Sequence, residues 1–317
     1  MSKSNIYYTV ECTTKGFHGH KLKDVFGSHT IGKLLGWEYI YTPYPYLEPF
    51  AIQLNAIRVP KWRRKLKFSK IYRFSGPKWD GISDYKDAKA FLEETFGSIK
   101  PNSLVVIDDS LRIHPCQTIS WWKDRLIDKN IFDAISSQQT EAFKAIHGQI
   151  QPTDPEILSV AIHISRGVDF NKEKFPQHFE DSWQPRYIFS MEYFDHIIKQ
   201  IKSVFKDKRV QFNIYTESLN SEDIQAAFSD TPDIKLHIGS NRHDRDESLI
   251  LDIFKSFVAS DILVCCNSSF SAMCSYYRYN KKTIYHPHKH LYDLPAPNYL
   301  ATEIDGSFNT SLLQTSL

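Results

Sequence analysis

Val160-Ala161-Ile162-His163-Ile164-Ser165-Arg166-Gly167-Val168-Asp169-Phe170 is the stretch around which this 317-residue chain is organised. Ser159 to His163 has the character of a strand buried on both faces, and it runs into a short polar turn carrying His163, Arg166 and Asp169. A strand that stops at an imidazole, a guanidinium and a carboxylate puts those groups at the carboxyl edge of a sheet. Open α/β sheets bind their ligands there. The planar donors of a guanidinium match two phosphate oxygens at once, which suits Arg166 to a phosphate clamp. The plain alternative is an Arg166–Asp169 ion pair that ties down a loop.

Outward from this stretch, toward the C-terminus, the pattern alternates. Tyr187 to Phe205 reads as a helix, and Gln211 to Tyr215 as a strand that ends in Thr216-Glu217-Ser218. Ser221 to Phe228 gives a short helix, Ile234 to Ile238 a strand, and Glu247 to Ala259 an amphipathic helix. Ile262 to Cys266 is the next strand, a helix opens at Ser269, and Thr283 to His286 is a last short strand. Strands alternating with helices specify a parallel sheet with helices on both faces.

Two further features of this half carry chemistry. Asn267-Ser268-Ser269-Phe270-Ser271 directly follows an apolar strand and opens a helix. Hydroxyls and free N–H groups at a helix start hold phosphate along the helix dipole, although Ser268 or Asn267 also suits a simple N-cap. Asp252 lies among Leu249, Ile250, Leu251, Ile253 and Phe254. It is either a surface residue of its helix or a carboxylate turned to a ligand, where it can accept two N–H donors from a guanine edge.

Toward the N-terminus, Ile6 to Cys12 reads as a first strand, followed by the turn Thr13-Thr14-Lys15-Gly16-Phe17-His18-Gly19-His20. Leu22, Val25, Phe26, His29, Ile31, Leu34 and Leu35 then recur at helical spacing up to Gly36, and Trp37 to Tyr41 reads as a strand. This strand–loop–helix–strand unit opens a doubly wound domain. Gly16 and Gly19 let backbone N–H groups approach a ligand closely, a weak signal taken alone. Residues 43 to 101 read as loops and short elements apart from a helix over Asp84 to Phe96. Leu104 to Ile107 is a strand and Phe132 to Ile146 a helix. The polar segment Gln149 to Pro155, with two prolines, is read as a linker between domains 1–150 and 151–317.

Composition narrows the function classes. Lys+Arg at 39 against Asp+Glu at 37 leaves a formal charge of +2, too little for a nucleic-acid footprint. The basic run Lys61-Trp62-Arg63-Arg64-Lys65-Leu66-Lys67 reads as a solvated face rather than a nucleic-acid or membrane contact. Cysteines 12, 116, 265, 266 and 274 have neither metal-ligand spacing nor an even count, and Cys265 and Cys266 read as small buried hydrophobes. His286-Pro287-His288-Lys289-His290 alternates imidazoles, but Pro287 and the absence of a nearby Cys or carboxylate count against a metal. With no signal-peptide core and no apolar segment near ~20 residues, the expectation is a cytoplasmic protein with reduced thiols and no membrane span.

Taken together, Gly16-Phe17-His18-Gly19-His20-Lys21, His163-Ile164-Ser165-Arg166-Gly167-Val168-Asp169 and Asn267-Ser268-Ser269-Phe270-Ser271 resemble three motifs of one family. That family is the fucosyltransferase superfamily of protein O-fucosyltransferases and α1,2- and α1,6-fucosyltransferases. Three dispersed motifs in the right order are far more specific than one. The resemblance implies an α/β, GT-B-like fold of two doubly wound Rossmann-like domains facing a central cleft. Residues 1–150 would be the acceptor side and 151–317 the nucleotide-sugar side. It further implies an inverting transfer of fucose from GDP-fucose to a glycan or other hydroxyl acceptor, with no metal and no cofactor. Alternatives are another nucleotide sugar, or a GDP-sugar or glycan-binding protein without catalysis.

The resemblance also assigns roles. Arg166 would hold the donor diphosphate and stabilise the charge developing on it. Ser268, Ser269 and the backbone at Phe270 would hold the same phosphates. His163 and Asp252 match guanosine-contacting positions, Asp169 would brace the turn, and Gly19 and His20 would line the cleft near fucose and acceptor. Two residues depart from the family pattern. Ser165 stands where the family usually carries its essential Arg, so Arg166 must act from the next position, which requires irregular backbone there. His20 stands where the family often has Asn or Cys; a neutral imidazole suits a general base on an acceptor hydroxyl, or a simple hydrogen bond to sugar.

Overall fold

The computed structural model describes residues 5–11, 18–44, 46–51, 57–74, 97, 99–108, 129–148, 150, 154, 156–165, 189–217, 221–239, 247–266, 268–287 and 298–314. The expected helix over Asp84 to Phe96 and most of the expected linker lie outside them. The chain divides into two units, the first running to Ile146 and the second starting at His147.

The first unit contains β1 (Tyr7–Glu11), α1 (His18–Leu34), β2 (Glu38–Tyr41), β3 (Ile57–Arg58), α2 (Lys61–Lys67), β4 (Ile71–Phe74), β5 (Leu104–Asp108) and α3 (Lys129–His147). Its strands pair in the order β3-β2-β1-β5-β4, all parallel. Leu104 to Ile107 is buried throughout, as a central parallel strand covered on both faces must be. Helix α1 starts four residues before Leu22, so Gly19 and His20 belong to its first turn rather than to the preceding loop. It ends as the sequence implied. Gly36 takes φ +66°, its N–H donates to the Lys33 carbonyl (3.1 Å), and the Trp37 N–H donates to the Gly32 carbonyl (2.8 Å). That pair of bonds is a Schellman stop, which needs a residue tolerant of the left-handed region. Further back along α1, the ring of Tyr8 lies directly on Gly32; a Cβ there would come within 2.2 Å of it. The Tyr8 hydroxyl meets His29 Nδ1 at 2.8 Å, which fixes the helix on its strand.

The second unit contains β6 (Ile157–Ile164), α4 (Met191–Val204), β7 (Arg209–Glu217), α5 (Glu222–Phe228), β8 (Ile234–Gly239), α6 (Glu247–Ala259), β9 (Ile262–Cys265), α7 (Ser269–Tyr276), β10 (Lys282–Tyr285), β11 (Tyr299–Ala301) and α8 (Ser311–Gln314). The sheet order is β11-β10-β9-β6-β7-β8, again all parallel. Counted within the unit this is 6-5-4-1-2-3, the order of a dinucleotide-binding sheet. Tyr193, Phe194, Ile197, Ile198 and Ile201 form the buried stripe of α4, packed on Leu158, Val160, Ile162, Ile164, Phe212, Ile214 and Val264. Full burial of each such side chain contributes about 1.5–3 kcal/mol relative to exposure. The alternate strand positions, His163 among them, face the opposite layer, where α6 and α7 bury Phe254, Phe257, Ala272 and Met273.

At the amino edge of this sheet lies a buried guanidinium. Arg278 donates to the carbonyls of Phe257 and Ser260 (2.7 Å), Asp261 (3.2 Å) and Lys282 (3.0 Å), tying the end of α6 to the starts of β9 and β10. Burial pushes it down to about 10. Each unit taken by itself is a Rossmann-like α/β unit, as a GT-B-like chain requires. Among the described residues no helix is long and apolar enough to cross a membrane.

Candidate functional site

In a 3-2-1-4-5-6 sheet the strand order reverses between the first and fourth strands, and the crevice at their carboxyl ends is the ligand site. Here those strands are β6 and β9. Beyond β6 come Ser165 and Arg166; beyond β9 come Cys266, Asn267 and Ser268. The described parts of the two central motifs, His163 to Ser165 and Ser268 to Phe270, therefore meet at the switch point of the second sheet. Arg166, Asp169 and Asn267 themselves lie outside the described residues.

His163 is not part of a polar turn. Strand β6 continues through Ile164, whose side chain joins the core, so His163 points into the opposite layer and is 7% exposed. Its Nδ1 meets Cys266 Sγ at 3.3 Å, a bond across the switch point, and its ring packs against Phe257 and Phe270. Burial lowers its pKa, and the nearby Glu217 carboxylate only partly opposes this, so the ring is held neutral. Cys266 is buried as expected, with the imidazole as a partner that its sequence context did not show.

Ser165 is the first residue past the strand, beyond the last pairing of β6 with β7. Its hydroxyl donates to Glu217 Oε1 at 2.8 Å. Glu217 is the last residue of β7 and was not singled out in the sequence. The signal was its place at the end of the unit's second strand, where dinucleotide folds keep an acidic residue for ribose hydroxyls. Below this polar layer runs an aromatic one. His163, Tyr215 and His237 are register partners on β6, β7 and β8. The rings of Tyr215 and His237 stack at 4.4 Å, and Phe257 meets Tyr215 edge-on. Gly239 sits opposite Glu217 and adds no side chain above that stack.

Ser268 is the N-cap of α7, its Oγ accepting from the Phe270 N–H at 3.3 Å. Ser269 and Phe270 open the helix, whose N-terminus lies at the carboxyl edge because the chain enters it from β9. That end carries the positive pole of the helix dipole. Asp252 sits on α6 with its side chain 72% exposed and 3.8 Å from Lys255 Nζ. Gly19, in the first turn of α1, is buried in the first unit, and His20 follows it there. The carboxyl edge of that unit is built around Glu11, whose carboxylate meets Arg64 (3.4 Å), Arg73 (2.8 Å) and Lys61 (3.8 Å). His286, half-buried, directs Nδ1 to the Thr302 carbonyl at 3.1 Å; His288 and His290 lie outside the described residues. No grouping of three or more metal-ligating side chains occurs among the described residues.

No family model matches the sequence, and none of the curated proteins does. Solved structures match over most of the chain. POFUT1 in complex with GDP-fucose is 10% identical over 87% of this chain and 95% of that one, with a TM-score of 0.45. The fucosyltransferase NodZ from Bradyrhizobium is 11% identical over 95% and 97%, with a TM-score of 0.40. The E. coli heptosyltransferase WaaC with ADP is 8% identical over 95% and 92%, with a TM-score of 0.35. The proteins to which this chain is similar thus include fucosyltransferases, the family its three motifs resemble.

Proposed function

We propose that this chain is an inverting glycosyltransferase that moves fucose from GDP-fucose to a glycan or other hydroxyl acceptor. The observation that carries the reading is the meeting of Ser165, at the end of β6, and the Ser268-Ser269-Phe270 segment at the switch point of a 3-2-1-4-5-6 sheet. Neighbouring strands lie about 4.8 Å apart, so the edge from β9 to β7 spans about 10 Å, comparable to a nucleoside diphosphate from its terminal phosphate to its ribose. Along it the diphosphate takes the start of α7 and Arg166, the ribose takes Glu217, and the base lies toward α6 and Asp252.

Arg166 stabilises the negative charge that develops on the diphosphate as the glycosidic bond breaks, help worth on the order of 3 kcal/mol per preorganised donor. In this reading the reaction needs no metal, and His20 would either take the acceptor proton or hydrogen-bond the sugar. Arg166→Ala is expected to abolish transfer while leaving the ligand-free melting temperature unchanged; normal transfer would remove the central assignment. Glu217→Gln is expected to erase the preference for GDP over 2′-deoxy-GDP.

The deciding experiment is thermal unfolding with GDP, UDP, CDP and ADP, each with and without Mn²⁺. A ligand at ~100 times its dissociation constant stabilises by about 2.7 kcal/mol, a shift of a few degrees for a chain of this size. A GDP-selective shift without metal supports the reading, and a UDP-selective or strictly metal-dependent one discards fucose. One observation favours a binding protein instead: Ser165 occupies the family's usual Arg position and is engaged by Glu217. Intact GDP-fucose after incubation without acceptor, with no transfer to any glycan, would favour that reading.

A further inference from the structure

Residues 57–73 contain eight Lys and Arg and no Asp or Glu, in a chain whose formal charge is only +2. The remaining residues therefore carry an excess of six negative charges. The sequence alone made the centre of this stretch a solvated basic face, but α2 arranges it differently. At about 100° per residue, Trp62 and Leu66 fall on one side of the helix about 40° apart, with Lys61 and Lys65 on one flank and Arg63 and Lys67 on the other. Arg64 lies opposite the Trp62–Leu66 side. It is the buried one, bonded to Thr42 Oγ1 at 2.8 Å and paired with Glu11. Trp62 is 67% and Leu66 83% exposed, and Ile57 on the neighbouring edge strand is 40% exposed. Arg63 lies 4.5 Å over the Trp62 indole.

A solvated charged helix has no use for an indole and a leucine on its outermost side. A helix that lies on an anionic bilayer has that pattern: an aromatic and an aliphatic group entering the headgroup boundary, with long cationic side chains on both flanks reaching lipid phosphates. We propose that the outer face of α2 docks the first unit on an anionic membrane surface, Trp62 and Leu66 entering the interface and Lys61, Arg63, Lys65 and Lys67 binding headgroups. Arg64 and Glu11 hold the helix from beneath, so its orientation is set before contact. The committed partner is a bilayer rather than a nucleic acid or an acidic glycan, because those polyanions are met by the flanking cations and leave the aliphatic Leu66 without a role.

The test is cosedimentation of the full chain with phosphatidylcholine vesicles containing about a third phosphatidylglycerol, beside pure phosphatidylcholine vesicles, heparin and duplex RNA. The expected result is binding to the anionic vesicles, at least tenfold weaker binding to the neutral ones, and a marked loss in 0.5 M salt. Trp62→Ser combined with Leu66→Ser is expected to weaken vesicle binding about tenfold or more, with the melting temperature unchanged because neither side chain is buried. Lys61→Glu with Lys65→Glu and Lys67→Glu is expected to abolish it. Vesicle binding unaffected by the Trp62 and Leu66 changes overturns the proposal, as does heparin or RNA binding that matches the vesicles and survives those changes. The GDP-induced thermal shift is measured separately and is expected to be unaffected by these variants, so failure of either reading is recognised independently.

Discussion

Among the described residues the two units each bury one guanidinium, Arg64 and Arg278, at opposite edges of their sheets. Arg64 sits at the carboxyl edge, bonded to the Val59 carbonyl, the Thr42 hydroxyl and the Glu11 carboxylate, and Glu11 in turn holds the exposed Lys61 and Arg73. Arg278 sits at the amino edge, where it donates to main-chain carbonyls and the Ser260 hydroxyl. Burial depresses both, Arg278 to about 10. The difference separates two uses of a buried cation. A cage of carbonyls holds both terminal nitrogens of the fork, leaving only Nε without a partner, and it fixes the roots of α6, β9 and β10 so that their far ends are positioned. A shared carboxylate is adjustable, since salt or a bound anion can redistribute it, and it belongs at the edge where ligands arrive.

Arg278→Ala is the substitution expected to separate these uses most sharply. It takes a donor from the Phe257, Ser260, Asp261 and Lys282 carbonyls, of which only the first two keep a side-chain donor, Ser260 Oγ and Lys281 Nζ, and should cost about 3 kcal/mol, read from urea unfolding. Lysine should rescue little, because one ammonium cannot span the fork. Glu11→Gln should cost about 2–3 kcal/mol, since the nearly buried Arg64 loses its counter-charge, and the loss should shrink in high salt. If the salt dependence fell on Arg278 instead, the contrast would be reversed.

The carboxyl edge of the second unit has its own signature in pH. His163 has a lowered folded pKa, so below the ordinary value of ~6.5 the unfolded chain takes up a proton that the folded chain refuses. Its contribution is fully present above ~6.5 and declines as pH falls toward the folded value, by at most about 1.4 kcal/mol per pH unit. His163→Gln should flatten that slope, and an unchanged slope would show that other groups set it. Ser268→Ala removes the α7 cap and should cost about 1 kcal/mol without ligand. Asp252→Asn should change ligand-free stability by under about 0.5 kcal/mol, as its pair with Lys255 is exposed, yet weaken GDP more than UDP. Equal losses for both nucleotides would take Asp252 out of base reading.

Much of this was legible from residue patterns. The central strands announce themselves because parallel strands covered on both faces are continuous apolar runs, as in Leu104 to Ile107 and Ile262 to Cys265. Gly36 marks the end of α1 because the stop motif demands its φ. The edge strands β3 and β4 and the short helix α2 were not legible, since two or four residues beside a basic run carry no period. Nor did the run Lys61 to Lys67 show which cation turns inward; that depends on Glu11 and Thr42, which are distant in sequence. At the ligand edge, the strand ends and the Ser268 cap were visible, but the Ser165–Glu217 bond spans 52 positions and has no local motif. His163 was misplaced by one strand residue, enough to turn it from a surface group into a core one.

The contact between Tyr8 and Gly32 has a consequence for substitution. A Cβ at position 32 would stand 2.2 Å from the Tyr8 ring, so the ring must shift before any side chain is accommodated there. That ring is buried and its hydroxyl is held by His29, so a change at either position is felt at the other.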